Sequence, residues 1–184
     1  HTGSANVAID NGTTALNLGT ISVGQNFSAT SGAVITDSGV ITVAGTGTFV
    51  TDVNDIDIVL DSNNAITGAL TFTTQTSGST NGADITFDNG STAISLAAFT
   101  TEGNLTLQTD AAIALTGHTV NGDLAVTSAG AISQSAALTV SGTSSFTSTG
   151  SNNNITLSTD SNALTGAVSA STVGSSGDVT IDNG

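Results

Sequence analysis

Residues 122–141 read GDLAVTSAGAISQSAALTVS, and this stretch decides the fold. Apolar and small polar residues alternate in three short runs, 124–127, 131–133 and 137–140, which small-residue corners separate. Alternation with a period of two is typical of a strand with one buried face, and no helical period is present. We interpret the stretch as one turn, or rung, of a parallel β-helix.

A glycine corner recurs along the chain at intervals close to the length of this rung. Each glycine follows an apolar strand end, and an apolar residue comes two to four positions later. Glycine suits such a corner because it tolerates positive φ and a sharp turn. The corner glycines are Gly24, Gly45, Gly68, Gly103, Gly122, Gly142 and Gly166. We expect the first apolar residues after them to stack as one column in the core. That column would contain Phe27, Phe49, Leu70, Leu105, Leu124, Phe146 and Val168.

A larger repeat is marked by the tripeptide Asp-Asn-Gly, which follows an alternating strand at residues 10–12, 88–90 and 182–184. Asp and Asn side chains accept hydrogen bonds from nearby backbone N–H groups in turns, and glycine adopts the left-handed conformation there. These turns divide the chain, a single β-helix segment over residues 1–184, into predicted blocks 13–90 and 91–184.

The two blocks align, but with a change of offset. TTALNLGTISVGQNF, from Thr13, aligns with STAISLAAFTTEGNL, from Ser91, at an offset of 78, and beyond Phe27 the offset is 97. The difference is the length of one rung, so residues 103–121 are predicted to be an extra rung in the second block. A solenoid accepts such an insertion because each rung contacts only its neighbours. Rungs of variable length favour an all-β, right-handed parallel β-helix of about seven to eight three-strand rungs.

The charge of the chain is entirely acidic. It contains no Lys or Arg and 14 Asp and Glu residues, which gives a net charge of −14. Binding of nucleic acid requires basic side chains that neutralise phosphates, and an acidic surface repels anionic lipid. No apolar run is long enough to cross a membrane as a helix. We therefore expect no nucleic-acid partner and no membrane insertion.

Catalytic parts are scarce in the sequence. Active sites on parallel β-helices combine carboxylates with Arg, Lys or His, which stabilise developing charge. The histidines of this chain are His1 and His118, and we expect His118 to be a solvated corner residue. The sequence predicts that the protein is not an enzyme and requires no cofactor, with calcium as the one candidate.

The candidate calcium ligands lie in the densest acidic stretch, residues 52–57. If Asp55 and Asp57 face outward from one strand, their carboxylates and that of Asp52 could bind Ca²⁺, which takes six to eight oxygen ligands. The alternative is an ordinary solvated face. At the offset of 97, Asp55 and Asp57 become Asn152 and Asn154, so the acids do not recur in the second block.

The repeat style points to a family. The segments GNLTLQTDAAIALTG, from Gly103, and GDLAVTSAGAISQSAALTVSG, from Gly122, resemble the repeat region of the filamentous haemagglutinin family of large exported bacterial surface proteins, including two-partner-secretion adhesins. The resemblance implies a secreted protein at the cell surface or in the extracellular matrix.

Two functions fit a solenoid of this composition. The leading hypothesis is a structural rod segment of an extracellular fibre or stalk, which continues end to end into further copies or flanking repeats. The alternative is a binding module that contacts a glycan or a host surface through the loop at residues 75–82, which the longest rung carries.

Overall fold

The computed structural model describes residues 5–78, 82–158 and 161–184, and every regular element in these ranges is a β-strand. The N-terminal half contains β1 (Val7–Asp10), β2 (Leu16–Leu18), β3 (Ile21–Val23), β4 (Phe27–Ser31), β5 (Ile35–Asp37), β6 (Ile41–Val43), β7 (Gly47–Asn54), β8 (Ile58–Leu60), β9 (Ala65–Ile66) and β10 (Leu70–Gln75). The C-terminal half contains β11 (Ile85–Asp88), β12 (Thr100–Thr101), β13 (Leu105–Thr109), β14 (Ile113–Thr116), β15 (Thr119–Val120), β16 (Leu124–Ser128), β17 (Ile132–Ala136), β18 (Thr139–Val140), β19 (Ser144–Ser151), β20 (Ile155–Leu157), β21 (Ala163–Leu164), β22 (Val168–Val173) and β23 (Val179–Ile181).

These strands stack in parallel into five sheets, and consecutive strands of the chain lie in different sheets. The long sheet contains one strand from each turn, in the order β2-β5-β8-β11-β13-β16-β19-β22. The first N-terminal sheet is β1-β4-β7-β10, and the second N-terminal sheet is β3-β6-β9. The first C-terminal sheet is β14-β17-β20-β23, and the second C-terminal sheet is β12-β15-β18-β21. The chain is therefore an all-β parallel solenoid of about eight turns, as the sequence predicts.

The core lies inside the stacked turns, and alternate side chains of the strands point into it. In β4 and β16 every second side chain is buried, which is the expected result of the period-two pattern. Phe27, Phe49 and Phe72 stack along the interior, with ring centroids 5.9 Å and 5.7 Å apart. The buried apolar side chains form one continuous cluster through both halves.

The two halves use the long sheet differently. At the offset of 97, β7 aligns with β19 and β8 aligns with β20. However, β7 lies in the first N-terminal sheet, whereas β19 lies in the long sheet, and β8 lies in the long sheet, whereas β20 does not. The strand that joins the halves is β11, which pairs with β8 on one side and with β13 on the other. At the long sheet the second half is therefore advanced by one face of the solenoid, because its strands there align with those of the first N-terminal sheet.

This one-face advance makes the predicted core column wrong. Phe49 lies in the first N-terminal sheet, whereas Phe146 lies in the long sheet opposite Val126. Ser144, not Phe146, lies opposite Leu124. Residues that align in sequence at this offset thus belong to different faces, although both phenylalanines are fully buried.

The corner glycines stack, but for a different reason from the one expected. The Gly142 N–H donates to the Gly122 carbonyl oxygen at 3.0 Å, and a Cβ on Gly142 would lie only 2.5 Å from that oxygen. None of the seven corner glycines has positive φ. At the six from Gly45 to Gly166, the close approach of the neighbouring turn is what requires glycine. Gly24 is outside the stack, since the N–H of Gly45 donates to the Gln25 carbonyl oxygen.

The Asp-Asn-Gly turns have the predicted conformation. Gly12, Gly90 and Gly184 have φ angles of 55°, 50° and 81°. In each turn an Asp Oδ1 accepts a hydrogen bond from the glycine N–H two residues later, at 2.9, 2.8 and 3.2 Å. Residues 103–121 form one complete turn, with β13, β14 and β15 in three different sheets. The bounds of the blocks, 13–90 and 91–184, stay a prediction.

Candidate functional site

A polar recess of about 360 Å³ lies beside the start of the long-sheet strands. It is lined by Asp55, Asp57, Gly82, Asp84, Gly103, Asn104 and Gly122, and we refer to it as the acidic recess. No Lys or Arg exists in the chain to neutralise its three carboxylates.

The structure brings together two of the three predicted calcium ligands. Asp55 and Asp57 both line the acidic recess, whereas Asp52 lies on β7 with its carboxylate near Gly32. The expectation that Asp55 and Asp57 extend from one strand is wrong. Asp55 occupies a turn with φ of 60°, and β8 begins only at Ile58.

The carboxylates of Asp55 and Asp57 have hydrogen-bonding partners on the next turn. Asp55 accepts from the Ser77 backbone N–H at 3.3 Å and from the Ser77 hydroxyl at 2.5 Å. The Oδ1 atom of Asp57 accepts from the Asp84 backbone N–H at 2.9 Å. These bonds connect successive turns of the solenoid at this corner.

The second half shows that neutral amides form the same contacts. Asn152, which aligns with Asp55, has φ of 61°, and its Oδ1 accepts from the backbone N–H groups of residues 175 and 176 at 3.1 and 3.2 Å. Asn154, which aligns with Asp57, accepts from the Asp178 N–H at 2.9 Å. Because an amide oxygen is sufficient, the shared role of these positions is to satisfy backbone donors, which requires no charge.

A metal site has no further support from the arrangement of ligands. Within residues 5–78, 82–158 and 161–184, no group of three or more His, Cys, Asp or Glu side chains could hold a metal ion. The calcium site at Asp52, Asp55 and Asp57 stays a prediction.

The sequence analysis does not predict a ladder of Asp and Asn side chains that runs along the starts of successive long-sheet strands. In each step a side-chain Oδ1 accepts from the backbone N–H of the corresponding residue on the next turn. The ladder runs from Asp57 through Asp84, Asn104 and Asp123 to Thr143, with distances of 2.9, 2.7, 2.8 and 2.6 Å. The sequence signal is an Asp or Asn directly before the first buried residue of a strand.

Buried asparagines form a second feature that sequence reasoning missed. The Oδ1 atom of Asn89 accepts from the Ile66 N–H at 2.9 Å, and its Nδ2 donates to the Ile66 carbonyl oxygen at 3.1 Å. Asn64 and Asn162 likewise accept from backbone N–H groups, those of Ile41 and Leu138, each at 2.8 Å. These amides replace a missing backbone partner where successive turns diverge, which keeps buried N–H groups satisfied.

Asp88 is a buried carboxylate at the end of β11. Burial raises the pKa of this group, the hydrogen bond from the Gly90 N–H lowers it, and the nearby carboxylates of Asp110, Asp37 and Asp61 raise it further. The Gln108 amide donates to its second oxygen at 3.0 Å. Asp88 therefore supports the Asp-Asn-Gly turn at the junction between the two halves.

His118 is buried, so the expectation of a solvated corner residue is wrong. Its side chain is 1 % exposed, and neither ring nitrogen has a hydrogen-bonding partner. The Phe99 ring packs against the imidazole edge with centroids 5.0 Å apart. Burial lowers the pKa of His118 to about 4, so the imidazole is neutral at neutral pH.

The predicted binding loop, residues 75–82, is described only in part, because residues 79–81 lie outside the described residues. Its first portion is held to the preceding turn by the contacts between Ser77 and Asp55. No helix formed by the described residues is long and apolar enough to span a membrane.

Comparison with known proteins identifies the repeat. A family model described as repeats of unknown function (DUF5649) matches residues 4–73 and 102–171. The two segments are offset by 98 residues, close to the offset that aligns β7 with β19. No curated protein and no solved structure matches the chain. These comparisons support a repeat protein without extending to the filamentous haemagglutinin family. Since the matched segments cover more than half of the chain, it belongs to the family of repeats of unknown function, DUF5649.

Proposed function

We propose that the chain is a structural rod segment of an extracellular fibre or stalk of a large bacterial surface protein. The observation that carries this proposal is the long sheet, whose eight strands continue through the junction of the two repeats without a break. In a solenoid each turn contacts only its neighbours, so turns can be added without altering the rest of the rod.

The junction itself has the hydrogen bonding of an ordinary turn. Ile85 of β11 lies opposite Ile58 on one side and Leu105 on the other. The Ile58 N–H donates to the Asp84 carbonyl oxygen at 3.0 Å, and the Ile85 N–H donates to that of Asn104 at 2.9 Å. The first repeat therefore continues into the second through ordinary strand pairing, which supports a function based on the length and stiffness of the rod.

We propose that this rod continues end to end with further copies or flanking repeats. Within the chain, the Asp-Asn-Gly turn at Gly90 leads directly into Ser91 and the second repeat. An association of this kind is heterologous and does not close on itself, so it would extend as a filament.

The proposed location is the cell surface or the extracellular matrix. The resemblance to exported bacterial surface proteins supports it, and so does the absence of Lys and Arg, because a net charge of −14 keeps a long fibre soluble where cations screen it. We propose that the segment has no enzymatic activity and binds neither nucleic acid nor membrane.

A tandem protein tests the rod directly. Thr13 of a second copy is joined to Gly184 of the first, which reproduces the sequence order of the internal junction. The account predicts a monomer whose maximum dimension in small-angle scattering grows by about 40 Å, from about eight further turns 4.8 Å apart. A compact particle, or a second copy without strand signal in circular dichroism, would contradict the proposal.

A binding module is the second candidate, and loop length favours it. The connection between β10 and β11 is four residues longer than that between the aligned strands β22 and β23. Extra residues at an exposed corner are a common place for ligand contacts in solenoids. A glycan array decides between the two functions. Specific binding that is lost when residues 76–79 are deleted would support the module, and no binding by the full chain would remove it.

A further inference from the structure

We propose that the corner at residues 117–118 is an acid-sensitive latch, which opens the solenoid locally between β14 and β15 when the buried imidazole of His118 is protonated.

The imidazole is enclosed between the neighbouring turns. The Thr119 N–H donates to the Phe99 carbonyl oxygen and the Thr139 N–H donates to the His118 carbonyl oxygen, both at 3.0 Å, so the turns are fixed above and below. Phe99 packs on one side of the ring, and the fully buried Leu138 occupies the corresponding position of the next turn. Both ring nitrogens therefore face an environment that offers them no hydrogen-bonding partner.

No charged group is available to stabilise an imidazolium there. The turn that contains His118 and its two neighbouring turns carry no other titratable side chain in residues 91–101, 105–109, 111–121, 124–128 and 129–141. Burial is accordingly the one cause of its lowered pKa. The nearest carboxylates along the chain are at the outer corners. Glu102 accepts from the Asn121 amide, Asp123 accepts from the Thr143 N–H, and Asp110 is exposed. A protonated His118 would be a buried charge without a partner, which is strongly unfavourable.

The pH range follows from the pKa values. Burial lowers the pKa of His118 to about 4, below the ordinary value of 6.5 that the ring regains when the corner opens. The open form therefore binds the proton more tightly. The stability of the closed corner is complete above pH 6.5 and is lost progressively as the pH falls from 6.5 towards 4.

The opening is local because this corner is held by the shortest strands. β12, β15 and β18 contain two residues each, whereas the neighbouring long-sheet strands β13 and β16 contain five. Gly117, with φ of +78°, directly precedes His118 and provides a flexible point for the movement. The long sheet can therefore stay paired while the corner moves outward.

The experiment combines two measurements on the full chain. Titration of the imidazole carbon-bound protons by NMR gives the pKa of His118, with the His118→Leu variant assigning its signal. Hydrogen exchange then compares peptides covering residues 111–121 with peptides covering residues 35–43, at pH 7 and pH 4.5 and corrected for intrinsic exchange. Leucine is the matched replacement because Leu138 fills the same position one turn away.

The latch predicts a His118 pKa near 4 and an opening equilibrium for residues 111–121 that rises about 60-fold between pH 7 and pH 4.5. Residues 35–43 should stay protected, and His118→Leu should abolish the rise. A His118 pKa near 6.5 would overturn the proposal even if the variant does not fold. Equal loss of protection in both peptides would also overturn it, since the opening would then be global.

Discussion

The stacking of the corner glycines leads to a quantitative prediction for Gly142→Ala. A Cβ at this position would lie 2.5 Å from the carbonyl oxygen of Gly122 and 2.3 Å from Oδ1 of Asp123, whereas ordinary contact begins at 3.4 Å. The first of these atoms belongs to the backbone, so the added methyl group must push two turns apart by almost 1 Å.

The expected loss of stability can be built from its parts. Overpacking of a well-packed region costs about 1–3 kcal/mol, and one weakened backbone hydrogen bond, that from the Gly142 N–H to Gly122, adds about 1 kcal/mol. The reduced entropy of the unfolded chain returns about 0.4–1 kcal/mol. We expect Gly142→Ala to lower the free energy of unfolding by about 1–3.5 kcal/mol.

The matched control is Gly19→Ala. No atom lies within 4 Å of a Cβ at Gly19, and its φ is not positive, so alanine should be neutral or stabilise the protein by up to about 1 kcal/mol. Urea denaturation followed by circular dichroism measures both variants. If the two free energies of unfolding agree within about 0.5 kcal/mol, the close approach of the turns does not explain the corner glycines.

Three further predictions concern the polar positions. Asp57→Asn should leave the free energy of unfolding within about 0.5 kcal/mol of the parent, because Asn154 makes the same bond in the second half. Asp57→Ala should lower the free energy of unfolding by about 1 kcal/mol. Equal melting temperatures in Ca²⁺ and in Na⁺ of matched ionic strength would rule out the predicted calcium site. Asp88→Asn should stabilise the protein at pH 7 and not at pH 3, since the folded pKa of Asp88 is raised and its charged form therefore costs stability above that pKa; a variant that is destabilised equally at both pH values would contradict this. Asn89→Ala should lower the free energy of unfolding by about 2–4 kcal/mol, because the backbone N–H and carbonyl groups of Ile66 both lose their partner. Asn11→Ala, at the partly exposed equivalent turn, should lower it by about 1 kcal/mol. Similar losses in the two variants would argue against the role of the buried amide.

The turn of the solenoid could be predicted from the sequence because its core is thin. Strands such as β16 and β17 bury alternate side chains only, so the period of two in residues 122–141 directly indicates which residues face inward. The Asp-Asn-Gly turns were equally accessible, since their conformation depends on neighbouring residues alone. Local rules are sufficient for both features.

The relation between the repeats could not be predicted in this way. Alignment at an offset of 97 compares equivalent residues, but it does not show which face of the solenoid each one occupies. That depends on β11, which serves as the second strand of one turn and the first strand of the next. The alignment therefore places Phe146 in the column of Phe49, although it lies in a different sheet.

The candidate site was only partly accessible for a similar reason. The sequence indicates that Asp55 and Asp57 are neighbours, but their partners, Ser77 and Asp84, are on the next turn. His118 was expected in solvent because corners are usually exposed, yet the adjacent turns cover it with Phe99 and Leu138. Contacts between turns depend on a register that a single sequence does not display.

The central claim is that the solenoid continues through β11 with an advance of one face. Backbone amide NOEs in the deuterated protein test it most directly, because only paired strands bring their amides within range. The account predicts contacts between β11 and β13, with Ile85 opposite Leu105, and between β11 and β8, with Ile85 opposite Ile58. Contacts that instead pair β13 with β10, so that Leu105 lies opposite Leu70, would place the two repeats in phase and contradict the account.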